Sequence, residues 1–145
     1  MTEGRKIRMR KAVDEMYNKG NFSSMDQIYA SGVACQPTSN LELEGKDQLK
    51  AYIQDLRGAY SDFKTLVDEI IVEGNTAVAR GTIEGTHTGE SRILKVPPTG
   101  KYMKTPFCSV THWKDGKIVN ESTYIDLLSL LSQLGVAPVP SSEGG

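Results

Sequence analysis

Cysteine is nearly absent. Cys35 and Cys108 are the only two in 145 residues, and they are far apart with no C-x-x-C spacing. That excludes a disulfide scaffold and fits a reduced, intracellular setting. An excess of charge of one sign is also missing. Lys plus Arg number 17 against 18 Asp plus Glu, a formal net charge of -1. Such a balance predicts no strong pull toward nucleic acid or an anionic membrane surface. No apolar run approaches the ~18 residues a membrane-spanning helix needs. The N-terminal residues carry charges without an apolar stretch, so no signal peptide is expected and a cytoplasmic location is the expectation. Neither an internal repeat nor a phosphate-binding glycine loop is present: Gly81, Gly85 and Gly89 lie along a strand edge with no helix after them. The two histidines, His87 and His112, fall on separate strands without a nearby Cys or carboxylate cluster, which makes a metal site unexpected.

What is there is one domain's worth of chain. At this length folding buries roughly two-thirds of the unfolded surface, enough for a core and a modest internal cavity. Met9, Ala12, Val13, Met16 and Tyr17 mark one face of a first helix over about 3–19. Met25, Ile28 and Tyr29 suit a short second helix, and Val33–Pro37 a short strand. After Gly45, the spacing of Leu49, Tyr52, Ile53, Leu56 and Tyr60 predicts a third helix. Alternating segments over 64–73, 76–88, 101–113 and 117–125 predict strands, the first two joined at Gly74-Asn75. Asp126 stands where an N-cap should, ahead of Leu127–Leu134. Helices first, then an antiparallel meander, then a closing helix is an α+β order. The expected architecture is a curved antiparallel sheet wrapped as a cone-shaped barrel over the N-terminal helices, enclosing a small-molecule pocket. The domain is expected over 1–136, with a flexible, Pro/Ser/Gly-rich tail over 137–145.

The hairpin around Asp115-Gly116 decides which side chains share a face. Lys114-Asp115-Gly116 suits a three-residue loop with Gly116 left-handed. Trp113 then pairs with Lys117, Ser109 lies opposite Glu121, and Phe107 opposite Thr123. Phe107, Ser109, Thr111, Val119, Glu121 and Thr123 share one face in that register. A two-residue type I′ turn would instead group Glu121 with Val110 and His112.

Four pieces in order, Gly85-Thr-His-Thr-Gly-Glu90, Pro97-Pro-Thr-Gly-Lys101, Asp115-Gly-Lys-Ile118, and Asp126 with Gln133-Leu-Gly135, resemble the SnoaL-like polyketide cyclases (ester cyclases). That family has the cystatin-like, nuclear transport factor two-like fold. The resemblance spans the chain to about Val136. It implies an α+β cone with a deep apolar pocket, a homodimer or higher homo-oligomer, and, for characterised members, an intramolecular aldol ring closure with no metal or organic cofactor. In those enzymes an acid/base Asp precedes the helix-opening Asp by three residues; that position here is Thr123. A family His falls at Ser109, and a Trp at Ser122. The polar residue before a proline on the early strand is kept as Gln36. An unassisted hydroxyl cannot take a proton from carbon at neutral pH, so the family mechanism does not carry over unchanged.

The resemblance places the pocket on the Thr123 face. Glu121 is the only carboxylate there and is the expected replacement base, two residues up the strand. Ser109, Thr123, Gln36 and His87 are expected to offer hydrogen bonds to an oxyanion, and Phe107, Thr111 and Tyr17 to line the pocket. For His87 a purely structural role is the alternative, and for Glu121 a solvated or Lys-paired place at the rim. The expected function is binding of a small, largely apolar, polyketide-like carbonyl compound. If catalytic, the protein would isomerise, cyclise or dehydrate it through an enolate-like species, without a cofactor. The alternatives are a non-catalytic carrier or sensor, and an oligomerisation module with Val110, Trp113 and Tyr124 at the interface. The basic residues Arg5, Lys6, Arg8, Arg10 and Lys11 are expected to form a solvated helix face.

Overall fold

The computed structural model describes residues 2–137. The tail expected over 137–145 therefore lies, Ala137 apart, outside the described residues. Helix α1 (Thr2–Ala12) continues into a π-helical stretch, Val13–Asn18. Met9, Ala12 and Met16 bury the apolar side of this run. From its other side Arg5, Arg8 and Arg10 reach the backbone carbonyls of Gly74, Gly116 and Val67. The basic face thus ties the helix to the two hairpin turns as well as facing water.

The short helix α2 (Met25–Ile28) is followed at once by β1 (Tyr29–Thr38) and β2 (Leu41–Glu44). Tyr29 opens the strand rather than closing the helix, and β2 was not legible in the sequence. Helix α3 (Lys46–Ala59) buries Leu49 and Ile53. Strands β3 (Lys64–Glu73), β4 (Thr76–Thr86), β5 (Tyr102–Lys114) and β6 (Lys117–Ile125) form the expected meander. The sheet order is β2-β1-β6-β5-β4-β3. Strand β1 runs parallel to β6, so the sheet is mixed rather than wholly antiparallel. Helix α4 (Leu127–Gln133) closes the fold, capped by Asp126, whose Oδ1 accepts from the Ser129 N–H at 3.0 Å.

The β5–β6 turn differs from the expected one. Lys114 pairs with Lys117, and both loop residues have positive φ, +51° at Asp115 and +79° at Gly116. This is the two-residue type I′ geometry whose twist matches the flanking strands. Taken alone it would turn Glu121 to the outer face. A bulge restores the register: Trp113 pairs with Ile118 and His112 with Asn120, leaving Val119 as the extra residue. The cause is burial. Trp113 and Ile118 are 3% and 1% exposed, and two residues three apart, Ile118 and Glu121, can both face inward only across an extra residue. Hence Thr111 lies opposite Glu121, Ser109 opposite Thr123, and Phe107 opposite Ile125. Ile118 takes the inward place expected for Val119. Trp113, expected at an interface, sits in the core with its Nε1 donating to Thr111 Oγ1 at 2.9 Å. Tyr124 does stand on the outer face, 59% exposed.

Candidate functional site

The curled sheet and the helices enclose a cavity of about 530 Å³, within the range of small-molecule sites. Met9, Leu56, Phe63, Met103 and Leu130 are among its mostly apolar walls. Its rim is built from the β1–β2 turn and the loop at 91–95. That loop is a fixed turn. Ser91 Oγ donates to Asp55 Oδ2 at 2.7 Å and accepts from the Ile93 and Leu94 N–H groups, while the Arg92 N–H donates to Asp55 Oδ1 at 2.9 Å.

From the sheet side β6 brings one carboxylate to the wall, Glu121. Tyr29, buried at the start of β1, donates its hydroxyl to Glu121 Oε2 at 2.8 Å. Desolvation raises the Glu121 pKa above the ordinary carboxylate value, and the Tyr29 hydrogen bond pulls the other way. Burial, and the nearby Glu121 charge, push the Tyr17 hydroxyl well above its usual value. Tyr17 therefore stays protonated and is a donor at the cavity wall. Cys35, paired with Glu121 across β1 and β6, has its thiol pushed up to about 12 by burial and then by Glu121. It remains a thiol and makes a poor nucleophile.

Six of the eight expected residues line the cavity: Tyr17, Phe107, Ser109, Thr111, Glu121 and Thr123. Ser109 Oγ and Thr123 Oγ1 are 2.9 Å apart. Two hydroxyls so paired use one hydrogen between them, which leaves the other for a ligand. Thr111 has no such freedom, because its Oγ1 donates to the Ala77 carbonyl at 3.1 Å and accepts from Trp113. It contributes shape, not a hydrogen bond.

Gln36 and His87 do not join the wall. Gln36 alternates with the inward Cys35 and Pro37, so its amide lies on the other face of β1 and donates to the Ser39 carbonyl at 3.2 Å. His87 is 0% exposed and stands at the base of the 88–100 loop. Its Nδ1 accepts the Thr99 backbone N–H at 3.2 Å, and the His87 backbone N–H donates to the Lys101 carbonyl at 2.9 Å. Its Nδ1 also lies 3.1 Å from Thr99 Oγ1, and its buried Nε2 meets no hydrogen-bond partner among the described residues. His87 is thus buried at the base of the loop and is not among the residues lining the cavity. Among the described residues no group of three or more His, Cys, Asp or Glu is placed to hold a metal ion, and no helix is long and apolar enough to cross a membrane.

The family model described as SnoaL-like polyketide cyclase matches residues 7–134. The chain belongs to that family. Among solved structures, this SnoaL-like chain is similar to a candidate SnoaL-like polyketide cyclase from Jannaschia sp. CCS1, at 22% identity over 94% of both chains and a TM-score of 0.84. It is similar to AclR, a candidate hydroxylase from Streptomyces galilaeus, at 22% identity over 99% of this chain and 92% of that one, with a TM-score of 0.81. TsrD from Streptomyces laurentii matches at 25% identity over 94% and 98% of the two chains, with a TM-score of 0.83. No curated protein matches the chain. At such identities the likeness is one of fold; the chemistry has to be argued from the side chains.

Sequence reasoning missed Tyr29 as the partner of Glu121, and it missed the 91–95 turn as a wall. Tyr29 carried a signal, an aromatic hydroxyl at a predicted inward position, whose burial demands a partner. The turn carried only a weak one, Ser91 two and three residues ahead of the amides it caps.

Proposed function

We propose that this SnoaL-like protein binds a small, largely apolar, polyketide-like carbonyl compound in the cavity and moves a proton at the carbon beside the carbonyl, with no cofactor. The observation that carries the reading is Glu121, a carboxylate in an apolar wall with its pKa raised by desolvation and its orientation held by Tyr29. A base whose pKa is lifted toward the working pH is the form such chemistry needs. Glu121 takes the proton from carbon, and the C–H electron pair moves onto the carbonyl oxygen to give an enolate. The spare hydrogen of the Ser109–Thr123 pair and the Tyr17 hydroxyl are the donors for that oxygen. Protonated Glu121 then returns its proton to another carbon, which isomerises the compound. Alternatively the enolate carbon attacks a second carbonyl of the same molecule, whose oxygen takes the proton from Glu121, which closes a ring.

The second reading, a carrier, rests on Thr123, the hydroxyl standing where the family resemblance puts the acid/base Asp. Incubation in deuterated buffer with an aryl ketone separates the two. The catalytic reading expects exchange at the carbon beside the carbonyl, falling about 100- to 10,000-fold in Glu121→Gln. Ligand binding at 100 times Kd should stabilise the protein by about 2.7 kcal/mol in either case. Binding without exchange in the native protein would leave the carrier. Exchange that survives Glu121→Gln would remove Glu121 as the base.

A further inference from the structure

Two cations stand at the mouth of the cavity with no ion-pair partner among the described residues. Arg92 and Lys95 line it from the 91–95 turn, both exposed. The one carboxylate on that side of the lining is Asp55, and both of its oxygens accept from the turn, from the Ser91 hydroxyl and from the Arg92 backbone N–H. Asp55 therefore fixes where the cations sit, while their side chains remain free.

Lys95 is also held in an unusual conformation. Only Lys95 and Asp115 have positive φ among the described non-glycine residues, and the type I′ turn accounts for Asp115. Lys95, at φ +56°, caps a turn closed by its N–H donating to the Ser91 carbonyl at 3.1 Å. A left-handed lysine is disfavoured unless its surroundings impose it, and such outliers gather at ligand clamps. Glu121 lines the same cavity from strand β6. The lining thus combines a carboxylate on the sheet, a mostly apolar set of side chains, and two cations on the 91–95 turn.

We infer that the ligand is an amphiphilic keto acid whose carboxylate is held by Arg92 and Lys95 while its carbonyl lies at Glu121. The inference rests on the function proposed above and narrows its substrate class from carbonyl compounds to carbonyl compounds ending in an acid. A planar carboxylate matches the guanidinium fork, and the ammonium adds a point charge. Binding the acid end at the turn orients the chain, so that the carbonyl is delivered to the sheet side.

The test compares naphthoylpropionic acid with its methyl ester on the native protein and on the Arg92→Gln/Lys95→Asn double variant. Asparagine accepts positive φ readily, so the turn is kept, and unchanged melting temperature checks it. The inference expects the acid to bind about tenfold more tightly than the ester at low salt. It expects that preference to shrink at about 1 M salt and to vanish in the double variant, with the ester's Kd unchanged within about twofold. A single Arg92→Glu variant is expected to reverse the preference. Equal binding of acid and ester by the native protein, or a preference that survives the double variant, would overturn it. If the ester still shows Glu121-dependent exchange in that case, only the acid-end inference falls. If neither compound binds, it falls together with the carbonyl-binding reading.

Discussion

Removing one hydroxyl, in Tyr29→Phe, tests how Glu121 is held. Tyr29 is 2% exposed, and its hydroxyl lies 2.8 Å from Glu121 Oε2. Burial and the adjacent charge keep the phenol protonated well beyond its usual range, so it donates throughout the accessible pH range. A hydrogen bond to an ionised acceptor is worth about 1.5–3 kcal/mol, and one to a neutral acceptor about 0.5–1.5. The cost of the variant should therefore depend on whether Glu121 is charged. Glu121's folded pKa lies above its unfolded value. Its protonated form favours folding, an advantage complete below the unfolded value of about 4.3 and lost as pH rises through the folded pKa. The Tyr29 bond lowers that folded pKa, so its removal raises it further and makes the loss larger and extended to higher pH. Thermal unfolding followed from about pH 4 to about pH 9 should show a gap between variant and native protein that widens with pH. At about 3–4 °C per kcal/mol for a chain of this size, the gap reaches about 5–10 °C on the alkaline side and about half that or less on the acid side. Carbon-bound proton exchange should move in parallel, its rise with pH shifted to higher pH. A gap independent of pH, or one that widens toward acid, would refute the claim that the hydroxyl acts on the Glu121 charge.

Gly81→Ala should cost about 3 kcal/mol or more, read by denaturant unfolding, since a Cβ there would stand 1.8 Å from the Leu66 carbonyl oxygen, a backbone atom that cannot swing aside. Gly58→Ala in α3, where a Cβ meets nothing within 4 Å, is the matched control and should gain about 0.4–1 kcal/mol. Asp126→Ala should cost about 1 kcal/mol by loss of the α4 cap, and amide hydrogen exchange in α4 should quicken, loosening Leu127, Leu130 and Leu131 at the cavity wall.

The hairpin is the instructive case of what could be read and what could not. Alternation placed Phe107, Ser109, Thr111, Glu121 and Thr123 on one face, and they share it. The route to that face was misread: a three-residue loop and a type I′ turn followed by a bulge insert the same extra residue at different places. The face is insensitive to that choice, whereas the pairing is not, so Ser109 meets Thr123 rather than Glu121.

The order of helices and strands, the capping Asp126, the family, and the one carboxylate on the cavity side of the last strand were all legible along the chain. These are local matters, set by periodicity, turn chemistry and short motifs. Long-range packing is what sets β1 parallel to β6, brings Tyr29 to Glu121 across 92 positions of chain, turns Gln36 away, and fastens a cationic turn over the cavity mouth through Asp55. Each of those is a contact between segments distant along the chain. Such contacts are chosen by which surfaces can be buried together and which buried polar groups can be satisfied, conditions that no short window of sequence contains.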